Sequence, residues 1–160
     1  RFIKFPPLGI RAAAPGMGNT DYEPVDSAAW VKQANEETLV LAHIETKTGV
    51  ANIDDILAVP GVDVMFVGLF DLSISLGCPG EFDHPDVAGA VARLIEAAVA
   101  HGKVPGMWAP SYETAKPWIK KGVRFLETGS DIGFISKSAC NLMSQFPGYG
   151  SRLSSGQSHA

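Results

Sequence analysis

The sequence predicts an α/β chain in which parallel strands are covered by helices. The sheet is either a small open one or half of an eight-fold (β/α)₈ barrel. Three observations carry this. Short apolar runs recur at 39–44, 64–69, 103–108 and 123–127. Segments with apolar residues at helical spacing separate and follow them. Strands that alternate with helices pair in parallel, through right-handed crossovers. A complete barrel needs about 250 residues, and this chain has 160.

The elements come in order. Residues 1–11, RFIKFPPLGIR, open abruptly: Phe2, Ile3 and Phe5 are apolar with nothing upstream to pack against, and no initiator methionine precedes them. The chain reads as beginning in the middle of something. Pro6-Pro7 and Gly9 force an extended turn. Residues 12–28, rich in Ala, Gly and Pro, form a long loop, and Ser27 caps a helix over about 28–35. After the first strand, Val50, Ile53 and Leu57 share one face of a helix over 49–59. Pro60-Gly61 turns the chain into the second strand, and 71–85 form a second long loop. Pro85 starts a helix that runs to about Ala100, with Val87, Val91, Leu94, Ile95 and Ala98 on one face, and His101-Gly102 ends it. Ser111 caps a helix ending at Lys121 and Gly122. Asp131 caps a last helix with Ile132, Ile135, Ala139, Leu142 and Met143 inward, stopped by FPGYG at 146–150. The expected domain is 1–150, with 151–160 a disordered polar tail.

Composition narrows the function. Apolar content of 46% and charged content of 19% are those of a globular protein with a core. A net charge of −4 gives no reason to expect nucleic acid or an anionic membrane as partner. No apolar run is long enough to span a bilayer. Cys78 and Cys140 form no zinc or CxxC pattern, and are expected as free thiols in a reducing, cytoplasmic compartment. Neither has a local activating partner in sequence, and nothing resembles a serine or cysteine triad. GMGN at 16–19 is not a phosphate loop, since no strand leads directly into it and no Lys-Ser/Thr follows.

The chemistry concentrates in 39–73. Glu45 follows the first strand and Asp71 stands two residues past the second. In a parallel β-α-β unit both strand ends reach the same sheet edge, where two carboxylates suit a hard divalent cation. Capping, or an ion pair with Lys47, accounts for the same residues without a metal.

Five motifs, in this order and spacing, carry a resemblance. They are FPPLGIR at 5–11, ANEETLVLAHIET at 34–46, NIDDILAVPGVDVMFVGLFDLSISLGCPG at 52–80, HPDV at 84–87 and GSD at 129–131. The sequence resembles the HpcH/HpaI aldolase family, the metal-dependent (class II) pyruvate aldolases, whose relatives include macrophomate synthase and the citrate lyase β-chain. The resemblance implies a TIM-type (β/α)₈ barrel of which this chain is the carboxyl-terminal half, strands five to eight. The chain is then a fragment of a longer protein or a genuine half-barrel. It implies Glu45 and Asp71 as ligands of Mg²⁺ or Mn²⁺. The family's proton-transfer histidine and the arginine that polarises the pyruvate oxygen lie in the first half, without counterparts here.

The resemblance also places substrate contacts. Backbone amides at Gly68, Leu69 and Phe70 would receive the pyruvate carboxylate. The family usually has Gly-Pro-Ala-Asp here, so Phe70 either narrows the pocket or packs into the core. His43 stands where the family commonly has glutamine, two residues before Glu45 and on the same strand face. It is a substrate contact, a substitute base or, the reading preferred for a lone strand histidine, a hydrogen-bonded interior residue. Trp108 lines the aldehyde side or packs in the core. His84 reads as a cap or an intersubunit contact, Arg11 as a loop anchor, and Asp131 as an N-cap.

The function so implied is a carbon–carbon lyase that cleaves or forms 4-hydroxy-2-oxo acids through a pyruvate enolate, with an aldehyde as the other partner. No lysine stands at a strand end to form a Schiff base. The alternatives are an oxaloacetate decarboxylase like macrophomate synthase, and a non-catalytic half-barrel or assembly subunit. The chain alone is expected to be weakly active or inactive. Its exposed sheet edges favour association, and the family implies a homo-oligomer.

Overall fold

The structure, a computed structural model, describes residues 1–146. The FPGYG stop beyond Phe146 and the expected polar tail lie outside the described residues.

Four strands form one sheet in sequence order: β1 (Leu41–Ile44), β2 (Val64–Val67), β3 (Val104–Trp108) and β4 (Phe125–Glu127). All three pairings are parallel. This is the predicted architecture, the one expected of half a (β/α)₈ barrel. Residues one apart on a strand point to opposite faces. Ile44, Met65, Val67 and Met107 therefore face one way, into a cluster with Ile53, Leu57, Val91, Leu94 and Ile95. Leu41, His43, Phe66 and Phe125 face the other way, with Gly106 in register between the two phenylalanines. A Cβ on Gly106 would lie 3.0 Å from the Phe66 ring and 3.1 Å from Phe125. The glycine leaves room for those rings to meet edge to face, 6.1 Å between centroids.

The helices keep the predicted order with five local differences. Helix α1 (Ser27–Glu37) is capped by Asp26, whose carboxylate accepts the Ala29 N–H at 2.8 Å, not by Ser27. The expected helix over 49–59 is two short ones, α2 (Lys47–Ala51) and α3 (Ile53–Leu57). They join at Asn52, whose φ −99° and ψ 16° fall in the sparsely allowed bridge region. Residues 69–75, expected as the end of the second strand and the start of the 71–85 loop, form α4 (Leu69–Ser75), which buries Leu72 and Ser73. The Ser73 hydroxyl donates to the Phe70 carbonyl at 2.6 Å and accepts the Gly80 N–H at 2.9 Å. This burial is a tertiary effect that a seven-residue segment does not announce by periodicity.

Helix α5 (Pro85–Ala100) has the predicted bounds and buries the predicted face, including Val87, Val91 and Leu94, each 0% exposed. At about 1.5–3 kcal/mol for each fully buried aliphatic side chain, this helix anchors the core. Helix α6 (Tyr112–Lys120) starts at a Ser111–Thr114 capping box. Helix α7 (Asp131–Met143) is capped by Ser130, whose Oγ accepts the Gly133 N–H at 3.0 Å, with Asp131 only its first residue. No residue of α7 is buried, and Ile132, Ile135 and Leu142, expected inward, are exposed. Amphipathic spacing forms a helix, but burial also needs a facing surface, and none of the described elements supplies it.

The opening segment is held by α1. Phe5 is buried and packs on Trp30 of that helix, 5.1 Å between centroids. Asn35 accepts the Phe5 N–H at 2.7 Å and donates to its carbonyl at 3.2 Å. Arg11 lies over the Phe5 ring at 4.7 Å, the anchor expected of it.

Candidate metal and substrate site

β1 and β2 end beside each other, with the Gly68 N–H donating to the Ile44 carbonyl at 3.0 Å. Glu45 is the next residue after β1, and Gly68, the next residue after β2, is the N-cap of α4. A Cβ on Gly68 would lie 2.7 Å from Glu45 Cβ and Oε2 and 2.5 Å from His43 Nε2. Only glycine lets the backbone pass this close to the carboxylate. Asp71 sits in the first turn of α4, one turn beyond this contact. Gly68 supplies no side-chain cap to α4.

His43 Nε2 lies 3.3 Å from Glu45 Oε2, and the two side chains are 53% and 41% exposed. His43 also meets the Phe66 ring edge-on at 5.1 Å. It is therefore not the hydrogen-bonded interior residue expected, but an open side chain turned toward a carboxylate. Among the described residues neither Glu45 nor Asp71 pairs with a lysine or arginine, so the Lys47 ion pair is not formed. Thr46, not Glu45, caps α2, its Oγ1 accepting the Gly49 N–H at 3.0 Å. Two carboxylates without a lysine or arginine partner among the described residues, one after β1 and one in the first turn of α4, offer hard oxygen donors. Oxygen donors of this kind suit a hard divalent cation.

Phe70 is 57% exposed and meets Phe82 edge-on, 6.3 Å between centroids, so it is not core. Trp108 ends β3 half-exposed, in register with Glu127 and on the strand face of Gly106. It too is not core. A cavity of about 430 Å³ opens on the uncovered face, lined by Leu41, His43, Phe66, Phe125, Leu126 and Glu127. Phe66, Phe125 and Glu127 were missed as candidates. Counting in twos from His43 and across the strand register finds them, and Glu127 is a strand-end acid by the same logic as Glu45.

His84 is the N-cap of α5, its Nδ1 accepting the Asp86 N–H at 3.3 Å, so the capping role holds. Both cysteines are free thiols. Cys78, however, has neighbours that sequence spacing hid: Cys78, His84 and Asp86 place one ligand atom each within 4.8 Å of one another. Burial, and then the carboxylates of Glu81 and Asp86, push the Cys78 thiol above its ordinary value. That makes it a poor free nucleophile. Among the described residues no helix is long and apolar enough to cross a membrane.

The chain is similar to known proteins over most of its length. The chain is 34% identical over 146 residues to the hydroxypyruvate/pyruvate aldolase of Chromohalobacter salexigens, covering 91% of this chain and 57% of that protein. It is 36% identical over 143 residues to the 5-keto-4-deoxy-D-glucarate aldolase of Shigella sonnei, covering 89% and 55%. The crystal structure of an HpcH/HpaI aldolase from Desulfitobacterium hafniense superposes with a TM-score of 0.74 at 32% identity, covering 91% of this chain and 57% of that one. The chain thus spans about half the length of the curated relatives it matches. The HpcH/HpaI aldolase/citrate lyase family profile matches residues 1–138, and the chain belongs to that family.

Proposed function

We propose that the protein carrying these four β/α units is a Mg²⁺- or Mn²⁺-dependent carbon–carbon lyase acting on 4-hydroxy-2-oxo acids, releasing pyruvate and an aldehyde. One observation supports the reading: Gly68 lets the chain entering α4 pass close to the Glu45 carboxylate, and Asp71 stands in the first turn of that helix. The named relatives are aldolases, one of hydroxypyruvate and pyruvate and one of a deoxy-keto sugar acid.

In this reading the four units are strands five to eight of the family barrel, and the enzyme is cytoplasmic. Glu45 and Asp71 hold the metal. A bound divalent cation supplies Lewis-acid stabilisation of the charge that develops on the keto oxygen. The amides that open α4 at Leu69 and Phe70 receive the substrate carboxylate, a role open to them because no side chain caps that helix. His43, beside Glu45, contacts substrate and orients the carboxylate. Phe70 and Trp108, both exposed near this edge, bound the aldehyde side.

The test reads metal binding and turnover separately. Mn²⁺ bound by the chain is measured by paramagnetic water relaxation, and pyruvate release from a 4-hydroxy-2-oxo acid is followed with and without EDTA. Glu45→Gln and Asp71→Asn should each weaken Mn²⁺ binding by more than about tenfold, and EDTA should abolish whatever turnover is seen. Lyase activity that survives both EDTA and Glu45→Gln would sink the proposal.

A further inference from the structure

We propose that Cys78, His84 and Asp86 form a second metal site, selective for Zn²⁺ or a similar borderline ion, that clamps the 76–84 loop to the start of α5. It lies outside the residues assigned to substrate and does not rest on the lyase reading.

The donors come from two pieces of chain. Cys78 belongs to the loop after α4 and is almost buried against the core. His84 and Asp86 flank Pro85 at the first turn of α5. Thiolate, imidazole and carboxylate are the ligand types of zinc, whereas Mg²⁺ and Ca²⁺ take oxygen ligands. Cys78 Sγ, a ring nitrogen of His84 and an Asp86 carboxylate oxygen all fall within 4.8 Å of one another, a span that one ion can bridge after small side-chain adjustment. His84 Nδ1 stands 3.8 Å from Asp86 Oδ2. Its lone pair accepts only the Asp86 N–H, at 3.3 Å, a long contact that a metal can replace at small cost.

Charge points the same way. Asp86 and Glu81 both surround the thiol with negative charge. No arginine or lysine pairs with Asp86 among the described residues. A dication turns this repulsion into attraction, and its binding releases the thiol proton to solvent. The backbone is already shaped for the purpose: the Glu81 N–H donates to the Cys78 carbonyl at 3.0 Å, and the His84 N–H to the Glu81 carbonyl at 3.0 Å. These two turns bring Cys78 and His84 together across five intervening residues. Three protein ligands leave a fourth position for water or a further side chain.

The experiment titrates the metal-free chain with Co²⁺ and with Zn²⁺ against a chromophoric chelator. The wild type should bind one equivalent with a thiolate-to-cobalt charge-transfer band, and Zn²⁺ should displace the Co²⁺. Cys78→Ser should lose the band, and Cys140→Ser should keep it. Asp86→Asn, and His84→Asn, which retains a capping side chain, should weaken Zn²⁺ binding by more than about 10–100-fold. Glu45→Gln should leave the titration unchanged, which separates this site from the oxygen-ligand one. Circular dichroism checks that each variant is folded. Absence of the band in folded wild-type chain, its loss in Cys140→Ser, or wild-type Zn²⁺ affinity in folded Cys78→Ser would each overturn the proposal.

Discussion

Ile44 and His43 are neighbours in one strand, yet Ile44 is 4% exposed while the His43 side chain is 53% exposed. The same contrast runs across the sheet. Met65, Val67 and Met107 are sealed under α3 and α5, whereas Leu41, Phe125 and Trp108 border open space. Both faces carry apolar side chains, so hydrophobicity does not separate them. The difference is cover. The sealed face holds the chain together, and the open face lines the cavity beside His43 and Glu127.

The largest expected difference is in stability. Met65→Ala, at a position with 0% exposure, should cost about 2–5 kcal/mol in a denaturant melt. Leu41→Ser on the open face of this chain should change the same measurement by less than about 0.5 kcal/mol. Equal losses at the two positions would erase the distinction between faces. An intermediate effect belongs to Gly68, where the faces meet the site. Gly68→Ala drives a methyl to 2.7 Å from Glu45 Cβ. It should cost about 1–3 kcal/mol through overpacking and weaken Mn²⁺ binding, read by water relaxation. Unchanged Mn²⁺ affinity would remove Gly68 from the site.

The smallest effect lies at the rim of the sealed face. The Arg93 guanidinium, and then His101, hold the Asp54 carboxyl below its ordinary value. A depressed carboxyl stabilises the fold above the unfolded-state value, near pH 4, and that contribution is lost as pH falls through the folded value. The pair is exposed and solvent-screened, so the effect is slight. Denaturation midpoints at pH 7 and pH 3 should differ a little less in Asp54→Asn than in the wild type. An equal or larger difference would deny Asp54 that role.

Legibility in the sequence divides along the same line. The sealed face was readable: the period of α5 named Val87, Val91 and Leu94 as buried, and they are. The parallel sheet with covering helices came from β/α alternation. Helix α7 shows the limit, since identical reasoning put Ile132 and Ile135 inward and they lie in the open. Periodicity reports which residues share a face, not whether another surface meets it. Phe70 and Trp108 were undecided for the same reason. Helix α4 escaped because it is held by the burial of Leu72 and Ser73 rather than by pattern. The Cys78, His84 and Asp86 grouping escaped because two backbone turns, not a ligand-spacing motif, bring it together.

Ser73 gives these features a mechanical link. Its buried hydroxyl is committed at both ends, to Phe70 in the first turn of α4 and to Gly80 in the loop beyond that helix. The Ser73 carbonyl also accepts the Cys78 N–H at 2.9 Å, so the helix that carries Asp71 and the loop that carries Cys78 are tied at this residue. A rotation of α4 that re-aims Asp71 must drag Gly80 with it or break a solvent-excluded hydrogen bond. The neighbourhoods of Asp71 and Cys78 thus share Ser73 as a hinge, and a shift at either is felt as torque at the other.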